Sequence, residues 1–189
     1  MPRALRVLVV TAVGLVVWIA IGYASAQRAC AHDPRFVCSP RDAANPVTIP
    51  DARKSWAFYG SLSPKQVDRF TFSLAQPAEV PWSLLVDVRD AANPARPSAV
   101  LYGAHSGSPN RATFDRATRF YEPFSREAYL QTPEQTLRLP AGSYSVVVTM
   151  RGGRHPQRYV MAIGRDERFS PLEIPYVLGA IGRIRALRY

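Results

Sequence analysis

Leu137-Arg138-Leu139-Pro140-Ala141-Gly142-Ser143-Tyr144-Ser145-Val146-Val147-Val148 decides the fold class, because a Pro/Gly turn here feeds a run that alternates apolar with polar or β-branched residues. Tyr144, Val146, Val148 and Met150 share one face at period two. After the turn Arg151-Gly152-Gly153-Arg154, a second run brings Tyr159, Met161 and Ile163 into phase. The two runs predict a hairpin in a two-layer β-domain.

Working upstream, the same period recurs. Ser55 to Gly60 is apolar and aromatic. Phe70, Phe72 and Leu74 alternate with Arg69, Thr71 and Ser73, the pattern of a half-buried strand. Trp82, Leu84, Val86 and Val88 follow in phase, and Ala99 to Tyr102 supplies a shorter run. Prolines, 17 in 189 residues, punctuate these runs instead of clustering, and that density excludes a helical bundle. The expected fold is all-β: an antiparallel, jelly-roll-like β-sandwich over residues 51–169, preceded by an N-terminal signal or anchor helix.

The N-terminus points to a compartment. Arg3 and Arg6 precede an uncharged apolar run, Val7 to Ala24, and Ala24-Ser25-Ala26 offers small residues for signal cleavage before Gln27. As a helix this run would rise about 27 Å, close to a hydrocarbon core of about 30 Å, so residues 1–26 read as a signal peptide or a signal anchor. Either way the remainder is expected to be extracytoplasmic, periplasmic or secreted. Of 24 Lys and Arg, removing Arg3 and Arg6 leaves 22 against 14 Asp and Glu, a formal charge of +8 on the exported part. Such a charge favours anionic partners. Outside the cytoplasm these are an envelope protein, anionic lipid or an acidic polymer, not nucleic acid.

Residues 27–50 read as a linker rich in turn formers, stapled by a disulfide between Cys30 and Cys38, the only cysteines. Closing so short a loop would contribute roughly 2.5 kcal/mol in a loop-entropy treatment. Cys30, His32 and Cys38 as metal ligands is a competing reading that lacks a fourth ligand nearby. No metal or other cofactor is expected.

Two segments are candidates for contact with a partner. Phe120 to Leu130 is dense in aromatics, and Tyr121, Glu122, Phe124, Arg126 and Tyr129 form a possible binding surface; the alternative is that these rings plug one end of the sandwich. The tail, 170–189, is a basic or docking segment. Arg183, Arg185 and Arg188 beside Ile184 and Leu187 suit an anionic surface, and a last element docked on the sandwich is the competing reading. Residues 103–119 read as a long tip loop.

Ser55 to Gly60, Tyr121-Glu122-Pro123-Phe124-Ser125, Pro140 to Tyr144, and Tyr159 to Gly164 with Glu167 and Phe169 resemble, in that order, a family of uncharacterised exported proteins of bacteria and archaea. The Pro-Ala-Gly-Ser-Tyr turn and its strand more loosely resemble the bacterial pre-peptidase C-terminal domain, a jelly-roll-like module appended to secreted enzymes and not itself catalytic. That resemblance implies a non-catalytic binding or structural module. A hydrolase of envelope polymers is the alternative. No Gly-x-Ser-x-Gly elbow or His-Glu-x-x-His helix is present, so only the meeting of a histidine, a nucleophile and an acid in one cleft would favour it.

Overall fold

The computed structural model describes residues 32–92, 96–103, 110–123, 125–168, 170 and 173–186; of these, the side chains of residues 151 and 174 are not described. The expected N-terminal helix lies outside these residues. Twelve strands run β1 (Asp33–Phe36), β2 (Val47–Thr48), β3 (Trp56–Leu62), β4 (Val67–Leu74), β5 (Ala78–Asp87), β6 (Arg96–Gly103), β7 (Asn110–Ala112), β8 (Thr118–Glu122), β9 (Glu127–Gln131), β10 (Gln135–Leu139), β11 (Gly142–Arg151) and β12 (Gln157–Ile163). Helix α1 (Ile174–Arg185) follows. They form a β-sandwich-like fold of two sheets. One has seven strands in the order β1-β3-β12-β5-β9-β8, with β10 also on β5; the other has five, β2-β4-β11-β6-β7.

The period-two reading holds where it was clearest. Phe70, Phe72, Tyr144, Val146, Val148, Trp82, Leu84, Tyr159, Met161 and Ile163 all lie in the core between the sheets. Partners are a different matter. The expected hairpin is absent: β11 pairs with β4 and β6 in the smaller sheet, while β12 pairs with β3 and β5 in the larger. The turn after β11 crosses from one layer to the other. Alternation specifies which side chains face inward, and two strands facing each other across the core satisfy it as well as two strands side by side.

One further feature differs from expectation. The pairing is mixed, because β1 lies parallel to β3 and β2 parallel to β4. Both parallel pairs come from the stretch expected to be a linker, which adds an edge strand to each sheet. Pro34 within β1 is compatible with that place, since an edge strand has one unpaired side. Within the tail lies helix α1. Val177, Ala180 and Ile184, spaced three and four apart, form its buried face.

That helix covers a second apolar layer. Ala57, Tyr59, Leu85, Tyr129, Val160, Ala162 and Ile184 cluster on the outer face of the larger sheet, apart from the inter-sheet core. Its central strands are therefore buried on both faces, so β12 and the end of β5 read as continuous apolar runs. The Pro140–Tyr144 turn is closed by the Tyr144 hydroxyl, which donates to the Pro140 carbonyl at 2.8 Å, and the Tyr144 ring stacks on Phe72 with centroids 5.2 Å apart. Gly164, just beyond β12, has φ +81°, and a Cβ there would stand 2.0 Å from the Lys54 carbonyl oxygen. No other residue fits that approach.

Candidate functional site

Beneath α1 the outer sheet face forms a small pocket, with room of about 20 Å³, roughly that of one water. Its floor is apolar: Ala57, Tyr59, Leu85, Val160, Ala162 and Ile184. One end is polar, lined by His32, Glu122, Ser125 and Tyr129. Strand geometry explains the arrangement. Along β8, Phe120 and Glu122 point toward the pocket and Tyr121 between them points away, 57% exposed. Tyr129 of β9 is 1% exposed.

The loop from β8 to β9 is held by its neighbours. The Glu122 carboxylate accepts the Ser125 N–H, and the Glu122 carbonyl accepts the Arg126 N–H at 2.9 Å. Arg126 takes φ 59°, a left-handed conformation that an unsupported residue of its kind seldom adopts. From the helix, Arg185 Nε donates to the Ser125 carbonyl at 2.8 Å, and Arg89 donates to the Arg185 carbonyl at 3.2 Å. Glu122 is thus a buttress for the loop.

The five residues expected as one aromatic surface therefore do not share a face. Tyr121 and Arg126 are exposed, Glu122 and Tyr129 are buried in the pocket wall, and Phe124 lies outside the described residues. Arg183 and Arg185 are exposed on the helix, with the Arg183 guanidinium 3.7 Å from the Phe36 ring centroid, and Arg188 lies outside the described residues. The contact of Arg185 with Ser125 nevertheless joins the two candidate segments, hairpin tip and basic helix, into one corner. Nothing in either segment alone signals that meeting.

The helix is fastened at its other end by charges. Lys54 Nζ donates to Asp33, which is wholly buried, at 2.7 Å and to Glu173, just before α1, at 3.1 Å. Arg35 reaches Asp33 at 2.9 Å and Glu173 at 3.3 Å, its guanidinium 5.0 Å from the Trp56 ring centroid and 5.1 Å from that of Tyr176. Partial burial would raise the Glu173 pKa. The Ser170 N–H and the Lys54 and Arg35 cations outweigh it and hold the carboxyl below its ordinary value of 4.5.

The polar end of the pocket contains the groups a hydrolase would need, but not their connections. His32 Nδ1 lies 2.6 Å from the Ser55 hydroxyl. Burial pushes the His32 imidazole below its usual 6.5, against the pull of Glu122 and Glu134, so it is neutral near pH 7. Ser125 Oγ is buried and has no hydrogen-bond partner; the same is true of the Tyr129 hydroxyl. Burial drives the Tyr129 pKa well above 10, and although Tyr59 and Ser125 stand near enough to oppose this, neither meets hydrogen-bond geometry.

Elsewhere, Cys38 is exposed and Cys30, its expected partner, lies outside the described residues. Among the described residues no three His, Cys, Asp or Glu side chains gather as metal ligands, and no helix is long and apolar enough to cross a membrane. A buried polar site that the sequence reading missed is Asp68, which accepts from Ser39 Oγ at 2.6 Å, from the Arg41 N–H at 2.7 Å and from the Tyr159 hydroxyl. It ties the 39–41 segment to both sheets.

No family model matches the chain, and no curated protein matches it. Among solved structures, the looser resemblance reappears: the pre-peptidase C-terminal domain of a Bacillus anthracis collagenase is similar at 13% identity and a TM-score of 0.42, covering 67% of this chain and 99% of that one. PliG of Salmonella Typhimurium, a periplasmic inhibitor of g-type lysozyme, is similar at 15% identity and a TM-score of 0.39, over 62% of this chain and 95% of that one. The mitogen of Yersinia pseudotuberculosis is similar at 11% identity and a TM-score of 0.40, over 65% of this chain and 92% of that one. At these identities and scores they say nothing of what this chain binds.

Proposed function

We propose that this protein is an exported, non-catalytic module of jelly-roll type that works at the cell envelope and binds an anionic partner, an acidic protein, lipid or polymer. The observation that carries the reading is the 2.8 Å bond from Arg185 to the Ser125 carbonyl, which makes one corner of the hairpin tip and the helix. Arg126, Arg183 and Arg185 are all exposed there. The basic leader, apolar run and small residues before Gln27 support export. The +8 charge of the exported part supports an anionic partner.

Capture from envelope extract tests this. The double variant Arg126→Gln, Arg183→Gln leaves Arg185 in place to hold the corner. Each basic residue near an anionic surface is worth about 1 kcal/mol, so binding is expected to fall about thirtyfold and to weaken with salt. Capture that is indifferent to both changes would contradict the reading.

One observation favours a hydrolase instead: His32, Ser125 and Glu122 line the same pocket. Against it, Ser125 Oγ has no base to take its proton, and Glu122 is engaged by the Ser125 N–H. Labelling of Ser125 by a fluorophosphonate would establish the hydrolase.

A further inference from the structure

We propose that the outer face of the smaller sheet binds an acidic polysaccharide, an extended chain of uronic-acid sugars lying across β4, β11, β6 and β7. This goes beyond the basic corner, which belongs to the larger sheet, and either site can hold if the other fails. Phe70, Val146, Leu101 and Ala112 point into the core, so their neighbours in sequence point out. Register then sets the outward side chains in rows. Arg69, Val147, Val100 and Arg111 form one row, and Thr48, Thr71, Ser145 and Tyr102 form the next. Ser73 and Ser143 follow, their hydroxyls 3.3 Å apart.

Three features select this chemistry. The first is charge. Arg69 and Arg111 stand at the two ends of their row, three strand spacings or about 14 Å apart. Among the described residues neither guanidinium has a carboxylate partner; Arg69 Nη1 donates to Ser145 Oγ at 3.2 Å, and its Nε has no partner. The one acidic residue in the strands of this sheet, Asp68, is wholly buried on the inner side. A carboxylate is therefore drawn to the face, and no side chain of these strands repels it. The second is the hydroxyl set. Thr48, Ser73 and Ser143 are exposed, Thr71 and Ser145 half-buried, and such groups both donate to and accept from sugar hydroxyls. The third is Tyr102, 48% exposed, whose ring gives a flat apolar area to the C–H face of a sugar. It is the only large apolar side chain exposed on this face among the described residues. A bilayer would require several apolar side chains to insert, and a protein partner an apolar centre.

Titration of the full chain with hexagalacturonate is the test, with maltohexaose as the uncharged sugar and hexaglutamate as the acid without a sugar. Saturable binding of hexagalacturonate is expected, about tenfold tighter than that of either control. Tyr102→Ala and Arg111→Gln, both at exposed positions, should each weaken it about tenfold, the loss of one ring contact or one charged hydrogen bond, with an unchanged urea midpoint reporting an intact fold. The double variant Arg126→Gln, Arg183→Gln should bind it as the parent does. The proposal is overturned if hexagalacturonate does not bind saturably, if hexaglutamate binds as well, or if Tyr102→Ala and Arg111→Gln both bind it unchanged. A loss confined to the Arg126→Gln, Arg183→Gln variant would overturn it too, by moving the polymer to the basic corner.

Discussion

Lys54→Met is expected to destabilise the folded chain by about 3 kcal/mol and to loosen α1 before the rest. Lys54 is the cation nearest to Asp33, a wholly buried carboxylate, and removing one member of a buried pair leaves the other charge without its partner. Arg35 remains on Asp33, which sets the cost at the lower end of the range for such changes. Urea denaturation gives the global effect, and hydrogen exchange should show the amides of 177–185 opening first. The same network makes the helix acid-sensitive. The Glu173 carboxyl has a folded pKa below 4.5, so its contribution is complete above that value and is lost as the pH falls through the lower folded one. Helix protection that is unaltered in Lys54→Met and independent of pH below 4.5 would show that the charges do not fasten the helix.

Phe70→Ala is the larger change, with an expected cost of about 4 kcal/mol, since truncating a buried phenylalanine loses both transfer energy and packing. Phe70 is 0% exposed at the centre of the inter-sheet core, and its ring centroid lies 5.2 Å from that of Phe58 on the opposite layer. Tyr121→Ala is the contrast. With Tyr121 57% exposed, its loss should move stability by less than about 0.5 kcal/mol. Equal midpoints for the two variants would contradict the assigned layers.

Phe70 and Tyr121 also mark what the sequence makes legible. The inward set of β4, β11 and β12 could be read because alternation is local and burial on one face enforces it. The strand partners could not. β11 and β12 are consecutive and in phase, yet they lie in opposite sheets, and only backbone pairing with β4, β6, β3 and β5 distinguishes that from a hairpin. The 27–50 stretch reads as a linker because its turn formers are dense. An edge strand such as β1 needs little more than backbone groups to dock, and its fastening to Glu173 spans 138 residues.

The site divides in the same way. The aromatic hairpin and the basic tail were each visible as composition, while their meeting depends on Arg185 reaching a carbonyl 60 residues away. In the sequence His32 reads as a possible metal ligand or one of three histidines open to a hydrolase. Its place beside Ser55, at the polar end of a pocket floored by β3, β5 and β12, requires β1 to lie along β3. Glu122 stood out as a carboxylate among aromatics, and the structure gives it the task of closing a loop.

The claim on which both the basic corner and the pocket depend is that α1 lies across the outer face of the larger sheet. Nuclear Overhauser contacts from the Ile184 methyls report it most directly. Cross-peaks to Ala162, Val160 and the Tyr129 ring are expected, because these residues share one cluster with Ile184 on that face. An Ile184 whose contacts stay within its own helix would remove the corner and the pocket together.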